Sequence, residues 1–441
     1  MRQLVYGLAH SLCLAMLMVP QMALAQTVED DRVDADDEDD DRVDVEDDDR
    51  VDAEEGDDAF SVTVEAERPR VTASERRIDR EMLEVTPRTT AEDLLRLVPG
   101  LVLVQHGNEG KGHQLYLRGF DAVHGSDVEV TLEGIPLNEM SNVHGQGYLD
   151  LAFIIPELVD SLDVTKGAYR LEQGNFATAG SVRFNLGVPR YDRGVGLRYE
   201  VGTTRRHRLL AMVSPPSDGS TFLALEAMRD AGFGDNRQTE RLSAMGQALL
   251  WRGAQGLQVT ALGTGYLSTF GLPGLLRYED VRSGERGLYD SYITTEGGFS
   301  GRAIASVEAQ GHVGHGRATA RGYGMWRRLS LDENFTGFLR YPEQGDRRGQ
   351  HQEAWSAGLR THTTQRLAPT FGLEALATWH TDRIEQQERQ LDPNGSSWQT
   401  NRNLTIVQHT GAVGGGVQWL PLTWLVLEGG VRLDLLHFDV D

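Results

Sequence analysis

Thiol chemistry is almost absent from this chain. One residue in 441 is cysteine, Cys13, and it lies in a stretch read below as a removed leader. The processed chain therefore has no disulfide, no cysteine-ligated zinc and no cysteine nucleophile. Long apolar runs are missing too. Beyond the leader no segment reaches the roughly 18 apolar residues of a transmembrane helix. The motifs GxSxG, HExxH, SxxK and GxxxxGK[ST] do not occur, which removes the commonest signatures of hydrolases and phosphate-binding enzymes. Basic charge is also in deficit, with 43 Lys and Arg against 66 Asp and Glu, and no nucleic-acid partner is expected. A mean hydropathy of −0.40 points to a soluble protein on its face. A transmembrane barrel, however, alternates polar and apolar residues and averages out to similar values.

Residues 1–25 read as a secretory signal: Arg2, an apolar run over 4–20, then Ala23-Leu24-Ala25 before Gln26. Cys13 comes too early to be a lipoprotein site. Residues 26–59 form an acidic tail with a loose repeat (Asp31-Arg-Val-Asp34, Asp41-Arg-Val-Asp44, Asp49-Arg-Val-Asp52). Positions 29–58 hold 20 acids and 3 arginines, so this tail supplies −17 of the net −23 and leaves −6 for the rest. Such a block repels itself and buries nothing, which predicts a disordered spacer. Residues 60–66 change character: Ser61-Val-Thr-Val64 is a β-prone stretch of the kind that can add to another protein's sheet edge.

Residues 67–190 have the texture of a small α/β unit. A capped apolar stripe over 89–97, stopped by Pro99-Gly100, predicts a short helix. Strands are expected at 101–105, 114–118, 128–132, 161–164 and 182–186. From 191 to 441 the texture is different. Eleven segments, the first near 196–202 and the last near 425–433, alternate apolar and polar residues. Short turns trade places with long polar stretches at 271–291 and 331–349. Pattern alone allows a soluble β-sandwich or propeller. The secretory signal and the alternation of turn lengths favour an outer-membrane barrel.

Six elements then fall in order. They are Asp58-Ala-Phe-Ser-Val-Thr-Val-Glu-Ala66, Thr90-Ala-Glu-Asp-Leu-Leu-Arg-Leu-Val-Pro-Gly100 and Leu115-Tyr-Leu-Arg-Gly-Phe120. After them come Val130-Thr-Leu-Glu-Gly-Ile-Pro-Leu-Asn138, Ile155-Pro-Glu-Leu-Val-Asp-Ser-Leu-Asp-Val-Thr-Lys-Gly167 and Phe176-Ala-Thr-Ala-Gly-Ser-Val-Arg-Phe184. In this order and spacing they resemble the TonB box and plug domain of TonB-dependent outer-membrane receptors. Glu133 stands where the family usually has Asp, Ala168 where Pro is common, and Arg183 and Asn185 in a strand that is usually more apolar. The resemblance implies a mainly β protein: a small α/β plug domain followed by a transmembrane antiparallel β-barrel, normally 22-stranded. About ten strands follow the plug here, so a truncated barrel is expected.

The resemblance further implies uptake of a scarce ligand across the outer membrane, such as a siderophore, haem, metal chelate or other nutrient. It implies no enzyme activity and no cofactor. The partners would be TonB, outer-membrane lipid and the ligand. TonB would pair with Phe60, Ser61, Val62, Thr63 and Val64 through their backbone. If the strands at 101–105, 114–118 and 128–132 run antiparallel, loops 106–113 and 137–149 share one end. By resemblance that end is extracellular, and it carries His106, His113, His144, Gln146 and Tyr148 as candidate ligand contacts, though ordinary loop residues read the same way. Imidazoles suit a chelate, haem or bare Cu or Zn, but no metal set is assigned. The turn 119–127, with His124, is expected at the opposite end. Arg118 is expected to latch the plug through a buried ion pair with a barrel carboxylate. Two other readings stay open: a plug-bearing outer-membrane sensor or adhesin that does not transport, and a secreted β-rich enzyme.

Overall fold

The computed structural model describes residues 74–441 except 106, 109, 254, 255 and 335. The expected leader, acidic tail and TonB-box residues Phe60 to Val64, together with His106, lie outside the described residues. Among those described, no helix is long and apolar enough to cross a membrane, which says nothing about strands.

An inner domain comes first. Strand β1 (Glu75–Asp79) leads into helix α1 (Arg80–Glu84) and then helix α2 (Ala91–Leu94), which runs on as a 3-10 turn, Leu95–Leu97. The Asp93 carboxylate reaches back to the backbone N–H of Thr89 (2.9 Å) and Thr90 (3.2 Å), satisfying donors that a helix start leaves open. Ala91, Leu94 and Leu95 face inward, as the apolar stripe predicts. Strands β2 (Leu101–Val104), β3 (Gln114–Leu117) and β4 (Phe120–Asp121) form a small antiparallel sheet. Strands β5 (Val128–Leu132), β6 (Ile135–Pro136), β7 (Val159–Lys166) and β8 (Gly180–Leu186) join β1 in a second sheet, ordered β1-β7-β8-β5-β6. In it β5 runs parallel to β8 and the other pairs are antiparallel.

The strands at 114–118 and 128–132 thus belong to different sheets, contrary to the single antiparallel array expected. The cause is local. Arg118 (φ 50°) and Gly119 (φ 87°) both adopt left-handed backbone, so β4 doubles back on β3 and the chain leaves that sheet before β5 begins. Every residue of β5 is buried. One face, Val128, Val130 and Leu132, enters the apolar core with Phe153, Leu162 and Phe184. The other carries Glu129 and Thr131.

Eleven strands follow: β9 (Gly194–Gly202), β10 (Arg206–Ser214), β11 (Phe222–Asp230), β12 (Thr239–Arg252), β13 (Gln258–Gly271), β14 (Gly297–Val313), β15 (Gly316–Asn334), β16 (Arg347–Ala368), β17 (Phe371–Leu391), β18 (Ser397–Leu422) and β19 (Leu425–Val440). Each pairs antiparallel with its neighbours in sequence order, and β9 and β19 are the two edges of the sheet. One end has tight turns at 314–315, 369–370 and 423–424. The other has the long connections 272–296 and 335–346, the first carrying helix α3 (Tyr278–Ser283).

The polarity of this sheet is inverted relative to a soluble protein. The face toward the inner domain holds Arg327, Gln352, Asp382, Gln386 and Gln408, all buried. The opposite face exposes Leu197, Leu225, Leu359, Trp379, Val413, Leu433 and Leu435. Successive side chains on a strand point to opposite faces, so the alternation in sequence becomes an apolar exterior and a polar interior, the pattern of a wall facing lipid. Placing Arg at Leu359 on the outer face is expected to cost about 2–4 kcal/mol near the bilayer centre. Thr364→Arg, facing the lumen, should leave stability near wild type. Urea unfolding in phospholipid vesicles measures both.

Candidate functional site: the interface between inner domain and barrel wall

Residues 110–113 and loop 137–149 of the inner domain reach the end of the wall that bears the long connections. Lys111 Nζ lies 2.6 Å from a Glu333 carboxylate oxygen, with both side chains buried. The Asn108 amide is aimed at the carbonyls of Arg237 (2.6 Å) and Gln238 (3.0 Å). Glycine is required in this loop by close approach. A Cβ at Gly110 would stand 2.6 Å from the Phe270 ring, and one at Gly112 would stand 2.6 Å from the Leu149 carbonyl. Gly110 and Gly112 are therefore tightly packed positions.

The second loop is tied down as firmly. Val143 N–H donates to Gln352 (2.9 Å) and His144 Nδ1 is 2.8 Å from Gln350 Oε1. The Glu139 carboxylate accepts from Gln352 (2.8 Å) and Arg302 (3.1 Å). Asp150 accepts hydroxyls from Tyr266 and from Ser300, the latter at 2.7 Å.

Of the sequence-predicted ligand residues, the structure gathers His144 and Tyr148, with ring centroids 5.8 Å apart. It adds His124, 4.8 Å from the His144 ring and 5.7 Å from Tyr148. His124 therefore lies at the same end as the other two, not the opposite one, because β4 folds back and brings residue 124 beside the Gly112 carbonyl (3.1 Å). Tyr148 is 1 % exposed and its hydroxyl accepts the Gly112 N–H at 2.8 Å, so it supports the loop from beneath. Gln146 is exposed. His113 stands apart, 3.5 Å from Gln105 Nε2. Among the described residues no group of three or more His, Cys, Asp or Glu is placed to hold a metal.

Arg118 does not form the expected latch. It is exposed, its guanidinium approaches the Lys166 carbonyl at 3.5 Å, and among the described residues no carboxylate pairs with it. A buried pair of the expected polarity is instead Lys111 with Glu333, and a second buried latch has the opposite polarity, with the carboxylate on the inner domain. Glu157, in the 3-10 turn Pro156–Leu158, accepts from Arg208 Nη1 (2.7 Å) and Nη2 (2.8 Å) and from Arg198 (3.1 Å). Arg208 also binds Glu226 (2.6 Å), which in turn binds Arg241 (2.9 Å). Burial pushes the Glu157 carboxyl up, but the Arg208 hydrogen bonds and charge outweigh it and hold the group below its usual range. One signal in the sequence could have found this network: Arg208, Glu226 and Arg241 all occupy inward registers of their strands.

Residues 68–181 match the family model for the TonB-dependent Receptor Plug Domain. They are a TonB-dependent receptor plug. Structures similar to the whole described region agree in fold. The ferric citrate transporter FecA in its unliganded form superposes with a TM-score of 0.67 at 17% identity, covering 83% of this chain and 56% of its own. The ferric yersiniabactin uptake receptor FyuA from Yersinia pestis gives 0.62 at 13%, covering 83% and 60%. The copper transporter OprC gives 0.60 at 16%, covering 83% and 55%. The chain thus spans between half and two thirds of the length of these structures.

The plug is therefore held in its wall by charged and polar contacts beside a shared apolar cluster that includes Leu210, Phe222 and Met245. Breaking one partner of a buried ion pair costs about 3–5 kcal/mol. Glu157→Gln is expected to lower plug stability toward the lower end of that range, since Glu226 still faces Arg208, and protease susceptibility under urea reads the change. A pH effect follows from His144. Burial, with Lys111 and His124 nearby, pushes its imidazole down to about 3 from an ordinary 6.5. Between those values the unfolded chain binds a proton that the folded one refuses, so the stabilisation is present above pH 6.5 and lost as pH falls toward 3. His144→Asn should flatten the fall of Tm between pH 7 and pH 4, as followed by intrinsic fluorescence.

Proposed function

We propose that this protein is an outer-membrane receptor that takes up a small ligand, with the plug closing the passage until TonB acts on residues 60–64. The observation that carries the proposal is a plug of this family seated against the polar face of an eleven-stranded antiparallel sheet whose other face is apolar. Such a sheet is suited to lipid, and a polar lumen filled by a separable domain is suited to gated passage.

The ligand would bind from the side of the long connections, on Gln146 and His144 of the plug together with loops 272–296 and 335–346. These loops are held in a defined shape. Arg277 lies over the Tyr292 and Phe338 rings (5.9 and 5.7 Å) and donates to the Gly337 carbonyl at 2.8 Å, and Tyr341 meets Trp398 edge-on at 5.1 Å. Preformed loops lower the entropic cost of ligand capture. The ligand class is that of a siderophore, haem or metal chelate, or another nutrient, and it reaches the protein as cargo. Two of the similar structures are described as an iron-chelate transporter and an iron-chelate uptake receptor, which supports that class.

TonB would pair with Phe60, Ser61, Val62, Thr63 and Val64 as an added strand, so the contact depends on backbone N–H groups rather than on side-chain identity. Val62→Pro removes one such donor and breaks the extended pairing. Binding of the purified periplasmic domain of TonB to the protein in outer-membrane vesicles should then be lost. Uptake of iron-55 presented on a panel of siderophores should cease, with binding to the cell surface retained. Normal uptake in this variant would discard the assignment of residues 60–64.

A further inference from the structure

The plug makes a second, separate set of contacts at the short-turn end of the wall, around loop 167–174. The Arg170 guanidinium lies between two carboxylates. On one side it binds Glu75, the first residue of β1, with Nη2 to Oε2 at 2.7 Å and Nε also bonded. On the other it binds Glu428 of β19 through Nη1 at 2.5 Å. Beside it Leu171 enters a hollow of the wall made by glycine. A Cβ on Gly414 would stand 2.8 Å from Leu171 Cδ1 and one on Gly430 would stand 3.5 Å away. The Leu171 carbonyl accepts from Arg432 (3.1 Å) and the Glu172 carbonyl from Arg360 (3.0 Å). The consecutive glycines 414–416, costly in a strand interior, are in part explained by this seat.

The position of Glu75 gives the cluster its meaning. Strand β1 is an edge strand that pairs with β7 alone, Glu75 opposite Thr165 and Asp79 opposite Ser161. The pairing is antiparallel, and the chain upstream enters at Glu75. Tension from that side loads the rungs one at a time, beginning where the Ser74 carbonyl accepts the Lys166 N–H (2.9 Å) and passing at once to Glu75, so β1 would peel with little resistance if hydrogen bonds alone held it. Glu75, at the head of the strand, is the residue that Arg170 clamps to the barrel.

We infer that Arg170 is a mechanical catch: the Glu75–Arg170–Glu428 bridge ties the loaded end of β1 to the barrel wall, and traction on the upstream chain cannot peel β1 from β7 until this bridge breaks. The inference rests on the reading of residues 60–64 as the point where traction is applied. Its consequence for passage lies next to it. Tyr169, Arg170 and Leu171 form the plug-side boundary of a cavity of about 770 Å³, whose wall side includes His312, Arg317 and Glu374. The catch therefore borders that cavity. Bridges of this kind suit a release element, because water can solvate both carboxylates and the guanidinium once they part.

The test applies force without TonB. The protein in outer-membrane vesicles is tethered through a cysteine at position 58 (Asp58→Cys) and pulled with an atomic-force microscope. The wild-type trace is expected to begin with a discrete rupture before β1 peels. Arg170→Met and Glu428→Gln should each lose that first rupture, and the double variant should behave like either single one. Arg77→Ala is the control: its partners Asp79, Asp160 and Asp163 all lie within the plug, and the first rupture should persist. If Arg170→Met does not reach the membrane, Glu428→Gln decides alone. Retention of the wild-type first rupture in Glu428→Gln overturns the catch, and so does its equal loss in Arg77→Ala. Because the instrument supplies the force, failure of TonB to bind residues 60–64 would move the natural point of traction without altering this measurement.

Discussion

A wall in contact with hydrocarbon has to satisfy its polar groups from within, and this single requirement shapes most of the molecule. Between the two edge strands, β10 to β18 pair with a neighbour on both sides, and the side chains facing outward are free to be apolar. Every second residue then points inward. Those positions carry Arg208, Glu226, Arg302, Arg327, Asp382 and Gln408, which are buried and costly without partners. The plug supplies partners to Arg208 and Arg302, while Glu226, Asp382 and Gln408 are partnered within the wall. Its interface with the wall is accordingly a set of ion pairs and amide bonds, with an apolar portion where Leu210, Phe222, Met245 and Tyr266 meet the plug core.

That composition has a consequence for motion. A domain core resists opening because its apolar surface gains nothing from water. A polar interface loses less when it parts, since each guanidinium and carboxylate can be hydrated. The plug is thus positioned by directional bonds such as Glu157 to Arg208 and Lys111 to Glu333. The two ends divide the work. Toward the long connections, tight glycine contacts at 110 and 112 fix the apical loops. At the short-turn end, one arginine joins the plug's edge strand to the wall.

Much of this architecture was legible in the sequence, and for physical reasons. Period-two alternation identifies strands because the pleat forces it, and all eleven strand segments read from the sequence lie within or overlap the eleven observed, which run longer at their polar ends. The helix start at Thr90 was legible from the carboxylate of Asp93 three residues on, and the plug from six ordered elements within a stretch that the family match largely covers. The candidate site was less legible. His144 and Tyr148 stand together, His124 joins them unforeseen, and Arg118 turns away from the wall. Both surprises trace to one turn: left-handed backbone at Arg118 and Gly119 reverses the chain, and local sequence does not state which sheet the next strand will join.

The sequence by itself determined which faces are apolar, where strands begin and end, and that an α/β domain precedes a run of antiparallel strands, since each of these follows from the order of side chains along the backbone. Only the tertiary structure decided the partners: that Glu157 rather than Arg118 anchors the plug, that Leu171 finds glycines some 240 positions away, and that one arginine spans Glu75 and Glu428. Such pairings join residues far apart in the chain, and they are fixed by the curvature of the sheet and the depth at which the plug sits. No spacing along the chain encodes either quantity.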